Sequence, residues 1–308
     1  MPTKKNTKAK VHKSLLAPGH KACAGCGQLM AAKTVINTLG PNTIIANATG
    51  CLEVTTTPYP QSAWGTPWIH SLFENAAGVA SGIQAALKQK GKEKQIKVVA
   101  QGGDGGTFDI GFGLISGMWE RNENILYICY DNEAYANTGI QASGATPWGS
   151  STTTTPAGSG DTIDAIGSHQ QKKNMIAIAL AHNLPYVAQT TAGYISDIEA
   201  KVKKALTMDG PGYIQIMVPC IPGWGLQPNE AVKIGKLGAQ TGIYPVLEYV
   251  NGELVKKMNV PDEQPKVEEY LKPQGRFAHL FKTPLGKKQI EYIQSIADKN
   301  IEKFGLKE

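Results

Sequence analysis

The sequence predicts an α/β protein, with an open, mostly parallel sheet, helices on both faces and a C-terminal helical arm. Three observations carry this expectation. Strand-like and helix-like segments alternate between residues 96 and 218, the pattern of successive βαβ units. The strands read as apolar runs, as in Asn124-Ile125-Leu126-Tyr127-Ile128-Cys129-Tyr130. A glycine-rich turn, Gly102-Gly103-Asp104-Gly105-Gly106, closes one of them, and ligands of open parallel sheets sit at the carboxyl ends of strands.

The elements follow in order. Cys23-Ala24-Gly25-Cys26-Gly27 leads into a helix predicted over 28–39, and 42–47 carries a β-like Ile44-Ile45 core ending at Ala48-Thr49-Gly50-Cys51. Pro58, Pro60 and Pro67 argue against regular structure in the next stretch. Apolar residues recur on one face over 72–90, with Lys88 and Lys90 at the end, which predicts a helix. A strand over 96–100, the glycine turn, a helix over 110–119 and a strand over 124–130 come next. The Gly-, Ser- and Thr-rich loop over 138–160 is too long for a simple connection, so it is read as functional or as ordered by a partner. Helices over 171–182 and 195–208 alternate with strands over 186–189 and 213–218, the last running into Pro219-Cys220. Past residue 230 come a helix-like stretch, a proline-rich connector over 261–273 and an amphipathic helix over 285–304. The expected organisation is a basic arm at 1–14, a main domain at 15–230 and an extension at 231–308 that packs on the core or on a partner.

Composition narrows the function. A chain of 308 residues with 41% hydrophobic and 18% charged residues is an ordinary globular one. No apolar run reaches the roughly 18 residues of a membrane span. The first 14 residues hold Lys4, Lys5, Lys8, Lys10 and Lys13 without an apolar stretch, and Arg121 and Arg276 are the only arginines. Neither a secretory signal nor an arginine-rich presequence fits, and a cytoplasmic location is expected. The same lysines nearly account for the net charge of +6. A solvated arm, or one that docks on an acidic partner, suits them better than nucleic-acid binding, for which aromatic and basic residues would interleave.

Two constellations carry chemistry. In the glycine turn the backbone can approach a phosphate, but Asp104 would be repelled by a bare diphosphate. A divalent cation between them resolves the conflict, since magnesium takes oxygen ligands from one or two protein groups and from phosphates. Asn132, 28 residues on and at the end of the next strand, offers a second oxygen, and the carbonyl of Ala134 a third. A glycine turn that only makes space is the plainer alternative. Neither a dinucleotide fingerprint nor a Walker loop is present. Separately, Cys23 and Cys26 form a Cys-x-x-Cys pair, and Cys51 and Cys220 each follow a strand. Soft thiolates suit an iron–sulfur cluster, while a zinc knuckle or a redox dithiol is the alternative for a single pair. Cys129, inside an apolar strand, is read as a buried inert thiol.

Taken together, Pro18-Gly19-His20, Cys23-Ala24-Gly25-Cys26-Gly27, Thr49-Gly50-Cys51-Leu52-Glu53, Pro67-Trp68-Ile69-His70, Phe73-Glu74-Asn75, the glycine turn with Thr107 and Asp109-Ile110-Gly111, Tyr130-Asp131-Asn132-Glu133, Asn137-Thr138-Gly139, Pro219-Cys220 and Gln274-Gly275-Arg276-Phe277 resemble the thiamine-diphosphate-binding β subunits of 2-oxoacid:ferredoxin oxidoreductases, most closely the pyruvate enzymes. The resemblance covers roughly 15–285. It implies the diphosphate-type domain of the thiamine-diphosphate-binding fold. It implies that Cys23, Cys26, Cys51 and Cys220 hold a 4Fe–4S cluster and that Asp104, Asn132 and the Ala134 carbonyl bind magnesium. Thr49, Gly50, Gly103, Gly105 and Gly106 would contact the cofactor, and Asn137 would face the reacting centre. His70 and Glu74 are weaker candidates: His70 reads equally as a core or interface residue, and Glu74 as a cap or ion-pair partner.

The implied reaction begins with attack of the thiazolium on the 2-oxo carbon and loss of carbon dioxide. The cluster then takes two electrons one at a time, and coenzyme A collects the acyl group. Enzymes of this kind activate the cofactor with a glutamate from a pyrimidine-binding domain, for which no second βαβ array remains in this chain. The resemblance therefore implies an α subunit, ferredoxin-like γ and δ subunits or fusions of them, and ferredoxin as acceptor. Oxalate, 2-oxoisovalerate or 2-oxoglutarate could replace pyruvate. A zinc-bearing, non-redox thiamine-binding or structural module is the alternative of another class.

Overall fold

The computed structural model describes residues 14–158 and 162–307. The five lysines of the basic arm, and the end of the long loop at 159–161, lie outside the described residues. In chain order come α1 (Gly27–Leu39), β1 (Thr43–Asn47), α2 (Cys51–Thr56), β2 (Trp68–His70), α3 (Ala76–Gln89) and β3 (Lys97–Gly103). A π-helical turn, Gly105–Ile110, joins β3 to α4 (Phe112–Glu120) and β4 (Leu126–Asp131). Next are a 3-10 turn (Ile163–Ile166), α5 (Met175–Ala181), β5 (Tyr186–Thr191), α6 (Ile195–Ala205), β6 (Gly212–Met217), α7 (Ile221–Trp224) and α8 (Ala231–Gln240). The strands β7 (Leu247–Val250) and β8 (Glu253–Lys257), α9 (Val267–Leu271), a 3-10 segment (Gly275–Phe281) and α10 (Pro284–Phe304) complete the order.

All strands join one eight-stranded sheet in the order β2-β1-β3-β4-β6-β5-β7-β8. The first six strands of that order are parallel, and β7 and β8 add antiparallel to the far edge. Alternation along each strand assigns side chains to faces. Val98 and Ala100 of β3 and Tyr127 and Cys129 of β4 join Ala80 of α3, Ile115 of α4 and Ala179 of α5. Val99, Ile128 and Tyr130 join Val35 of α1 and Ile198 and Val202 of α6 on the opposite face. A parallel sheet covered on both faces needs strands apolar on both, which is why they read as runs.

Three features depart from the sequence reading. β2 lies among the prolines; it is a three-residue edge strand preceded by Pro67, a place that tolerates proline. A short helix that the sequence reading does not include, α2, opens at Cys51. The C-terminal region is not purely helical, because β7 and β8 extend the sheet through an Asn251-Gly252 turn with φ of 49° and 84°. That pair of positive φ values is the Asn-Gly hairpin signature, and it was present in the sequence. The rest of the extension packs on this chain's own core: Met217 of β6 and Trp224 share a cluster with Ile234, Tyr270, Phe277 and Ile293.

The connections place the site. From β1 the chain turns to β2 on one side, whereas from β3 it turns to β4 on the other. The crevice between the carboxyl ends of β1 and β3 is therefore the topological switch point, the usual ligand position in such sheets.

Candidate active site

Every predicted cofactor residue borders that crevice. Thr49, Gly50 and Cys51 follow β1; Gly103, Asp104, Gly105 and Gly106 follow β3; Asn132, Ala134 and Asn137 follow β4. All of them line a single cleft of about 100 Å³. Asn137 is exposed at its mouth, while Asp104 is fully buried at its floor. The Tyr135 ring packs directly on Gly105 and meets Phe73 edge-on at 5.9 Å.

At the floor, Asp104 Oδ1 accepts the Asn132 backbone N–H at 3.2 Å and Oδ2 accepts the Ser143 hydroxyl at 2.5 Å. Burial, and then the neighbouring Asp131, nevertheless push the Asp104 carboxyl well above the usual carboxylate range. The Asn132 carboxamide touches both other candidate ligands. With nitrogen inward it donates to the Ala134 carbonyl at 2.7 Å and to Asp104 Oδ1 at 3.1 Å. With oxygen inward three oxygens converge at the same spacings, and a cation satisfies them. Neighbouring oxygens of an octahedral magnesium stand roughly 2.9 Å apart, between those two values. The trio fits the ion.

Beneath the trio lies a buried ionic network. Lys172 Nζ bridges Asp131 Oδ2 at 2.6 Å and Glu133 Oε1 at 2.7 Å, and Arg276 Nη2 donates to Glu133 Oε2 at 2.7 Å. Burial works against charge on Glu133, but Lys172 and Arg276 hold its carboxyl below the usual range. Burial likewise opposes charge on Lys172, and Asp131 and Glu133 outweigh it. Two cations thus serve Asp131 and Glu133, while Asp104 has no ion-pair partner among the described residues. This is the electrostatic vacancy that a divalent ion suits.

The cysteines gather beside this floor. Cys23 is exposed; Cys26, Cys51 and Cys220 are half-buried. Gly25 adopts φ +75°, and a Cβ there would stand 1.9 Å from the Pro228 carbonyl oxygen. A Cβ on Gly27 would stand 2.9 Å from that of Pro219. The Cys-x-x-Cys turn is thus seated against the backbone on both sides of Cys220. Burial, then the fields of Cys220, Cys26 and Cys23, push the Cys51 thiol up to about 12, and Asp104 adds to the effect. Cys220 is pushed up to about 11, first by burial, though the Gly223 N–H opposes this. The four thiols are therefore electrostatic neighbours, and Cys51 also lines the cofactor cleft. Among the described residues no three His, Cys, Asp or Glu side chains converge as tightly as one metal ion requires. Cys129 stands apart, fully buried in β4.

The sequence reading left several contributors unassigned. His70 Nε2 lies 2.7 Å from the hydroxyl of Thr49, which lines the cleft. Glu74 forms neither a helix cap nor an ion pair among the described residues; Asn75 occupies the cap position of α3. The long loop is anchored by its own chain: Ser143 reaches Asp104, the Gly144 N–H reaches Asp109 Oδ2 at 2.9 Å, and the Thr146 hydroxyl reaches the Glu133 carbonyl at 2.8 Å. Ser143 and Lys172 lack a local motif that marks them. Glu133 and Arg276 stand in the motifs Tyr130-Asp131-Asn132-Glu133 and Gln274-Gly275-Arg276-Phe277, which gave them no individual role.

Comparison with known proteins agrees with this geometry. The family described as thiamine pyrophosphate enzyme, C-terminal TPP binding domain, matches residues 48–216. The pyruvate synthase subunit PorB of Methanosarcina barkeri is 50% identical over 96% of this chain and 98% of its own length. The ketoisovalerate oxidoreductase subunit VorB of Pyrococcus abyssi is 42% identical, covering 86% of this chain and 85% of its own. Among solved structures, the 2-oxoglutarate:ferredoxin oxidoreductase of Magnetococcus marinus, with 2-oxoglutarate, coenzyme A and succinyl-CoA bound, aligns with a TM-score of 0.56 and 25% identity over 70% of each chain. No described helix is long and apolar enough to cross a membrane. With the diphosphate-type cleft at the switch point and relatives matched along nearly their whole length, the chain belongs to the thiamine-diphosphate-binding β subunits of the 2-oxoacid:ferredoxin oxidoreductases, among those of the pyruvate synthase type.

Proposed function

We propose that this subunit holds magnesium thiamine diphosphate in the β1–β3 crevice and a 4Fe–4S cluster on Cys23, Cys26, Cys51 and Cys220, within a cytoplasmic heteromer that oxidises pyruvate to an acyl-coenzyme A and reduces ferredoxin. One observation carries the reading: Cys51 lines the cleft that Asp104 floors, and its electrostatic neighbours are the other three cysteines and Asp104 itself. The cofactor, when bound, supplies the electron sink for decarboxylation of a 2-oxoacid. Asp104, Asn132 and the Ala134 carbonyl would hold the metal, while Gly103, Gly105 and Gly106 leave room for the diphosphate. Thr49 and Gly50 form the β1 wall, and Asn137 stands at the mouth where the reacting centre would lie. Four cysteine thiolates are the ligand set that a 4Fe–4S cluster takes, and their softness suits its irons.

The activating glutamate would come from an α subunit and the outgoing clusters from ferredoxin-like γ and δ subunits, with the 138–160 loop and the basic arm as docking surfaces. Pyruvate is favoured over branched oxoacids and 2-oxoglutarate by the relatives at up to 50% identity that carry the pyruvate synthase name. The test is anaerobic co-purification of the chain with its partners, metal analysis, and ferredoxin reduction with coenzyme A and each oxoacid in turn. Brown protein with iron and sulfide that turns over pyruvate fastest is expected. Stoichiometric zinc in a colourless chain would overturn the cluster, and a faster rate with another oxoacid would overturn the substrate.

A further inference from the structure

We propose that Arg276 is a positioning residue that sets the reduction potential of the cluster at the four cysteines; this rests on the cluster reading above. Arg276 is buried, with its Nε held by Gln274 Oε1 at 2.9 Å and its Nη2 by Glu133 Oε2 at 2.7 Å. Its guanidinium carbon lies 3.7 Å from the centre of the Trp224 ring. Trp224 ends α7, the helix that Cys220 opens, and its backbone N–H donates to the Cys220 carbonyl at 2.9 Å. A permanent, buried cation is therefore stacked on the helix that carries one cluster ligand. The backbone beside Arg276 closes on the end of the same helix: a Cβ on Gly225, the residue after Trp224, would stand 3.0 Å from the Gly275 Cα.

The sign follows from electrostatics. Reduction adds one electron to the cluster, and a nearby positive charge in a poorly screening interior stabilises the more negative state. Arg276 raises the potential. Glu133, paired with the same guanidinium, offsets part of that field, so its loss acts in the opposite direction. The orientation is fixed as well, because an arginine held by two hydrogen-bond partners and an aromatic face cannot swing into solvent.

The experiment is an EPR-monitored redox titration of the full chain, purified without oxygen, with iron content measured first. Arg276→Gln should keep its iron and shift the midpoint to a more negative value, Arg276→Lys should fall between it and the wild type, and Glu133→Gln should shift the midpoint upward. A structural role alone would not give shifts of opposite sign. An unchanged midpoint in iron-replete Arg276→Gln, or shifts of the same sign in Arg276→Gln and Glu133→Gln, would overturn the proposal. Should Arg276→Gln lose its iron, Arg276→Lys and Glu133→Gln decide: a midpoint unmoved in both, or lowered by Glu133→Gln, overturns it. A wild-type chain without iron would refute the cluster reading, and this inference with it, before any variant is compared.

Discussion

Trp224 donates its indole N–H to the backbone carbonyl of Asn132 at 2.8 Å. The two residues belong to different halves of the site. Trp224 ends the helix opened by Cys220, and Asn132 is one of the three candidate magnesium ligands. One hydrogen bond between buried groups thus joins the wall of the four cysteines to the floor of the cofactor cleft, and the two cannot shift independently without leaving a buried donor unpaired.

Cys51 and Cys129 should behave oppositely when shortened. Cys51→Ala is expected to abolish iron binding while circular dichroism stays that of the folded chain. Cys129→Ala should keep its iron and lose about 1–2 kcal/mol of stability as a small core cavity. Loss of iron from Cys129→Ala alone would reverse the ligand assignment.

Gly25→Ala tests whether the Cys-x-x-Cys turn is seated as described. The added methyl group would sit 1.9 Å from the Pro228 carbonyl oxygen, at a residue with φ +75°. The turn must move away, taking Cys23 and Cys26 with it. Iron content after anaerobic reconstitution should fall severely while the thermal transition of the sheet survives; full iron occupancy would show that the turn adapts.

Asp104→Ala should abolish magnesium-dependent binding of thiamine diphosphate to the assembled complex, measured by calorimetry. The same change takes the acceptor away from the Ser143 hydroxyl and the Asn132 N–H, so the metal-free chain should also lose stability. Loss of magnesium-dependent binding in a chain that is less stable but still folded is the predicted pair of results. Unchanged affinity would make Asp104 a structural residue.

His279 provides a pH signature. Its Nε2 lies 2.8 Å from the Ile166 carbonyl oxygen, and burial lowers its affinity for a proton, although that hydrogen bond opposes the effect. The unfolded chain therefore takes up the proton first as pH falls through about 6.5. Stability should decline as pH drops from 7 through that value, and the His279→Gln chain should show a shallower decline in denaturant titrations. Equal slopes would exclude His279 as the cause.

Much of the fold was legible because its signals are local. The runs in β3 and β4 are apolar on both faces, and the periodicity of 72–90 marks α3 to within a few residues at each end. The hairpin of β7 and β8 was missed although Asn251-Gly252 announces it, because β8 is exposed throughout and shows no apolar face to detect. β2 was missed because three residues among prolines are too few for a period. In the site, Asp104 and Asn132 could be paired from the sequence because each closes a neighbouring strand of a parallel sheet. Ser143, Lys172 and Arg276 could not, because they reach the floor from a long loop, from the segment before α5 and from the C-terminal extension.

Sequence alone determined which side chains are the candidates for chemistry here: four thiols of soft character, a carboxylate set among glycines and a set of strands whose carboxyl ends must share one edge. Those properties reside in residue identity and short spacing, so they need no fold to be read. Tertiary structure decided that the two sets are neighbours, with Cys51 lining the cleft that holds Asp104. Residues 23 and 220 are neighbours because Gly25 and Gly27 let the turn lie against the backbone of Pro228 and Pro219. Arg276 stands between Glu133 and Trp224 because the extension packs back on β6. Proximity between residues far apart in the chain is a property of packing, and only the folded chain contains it.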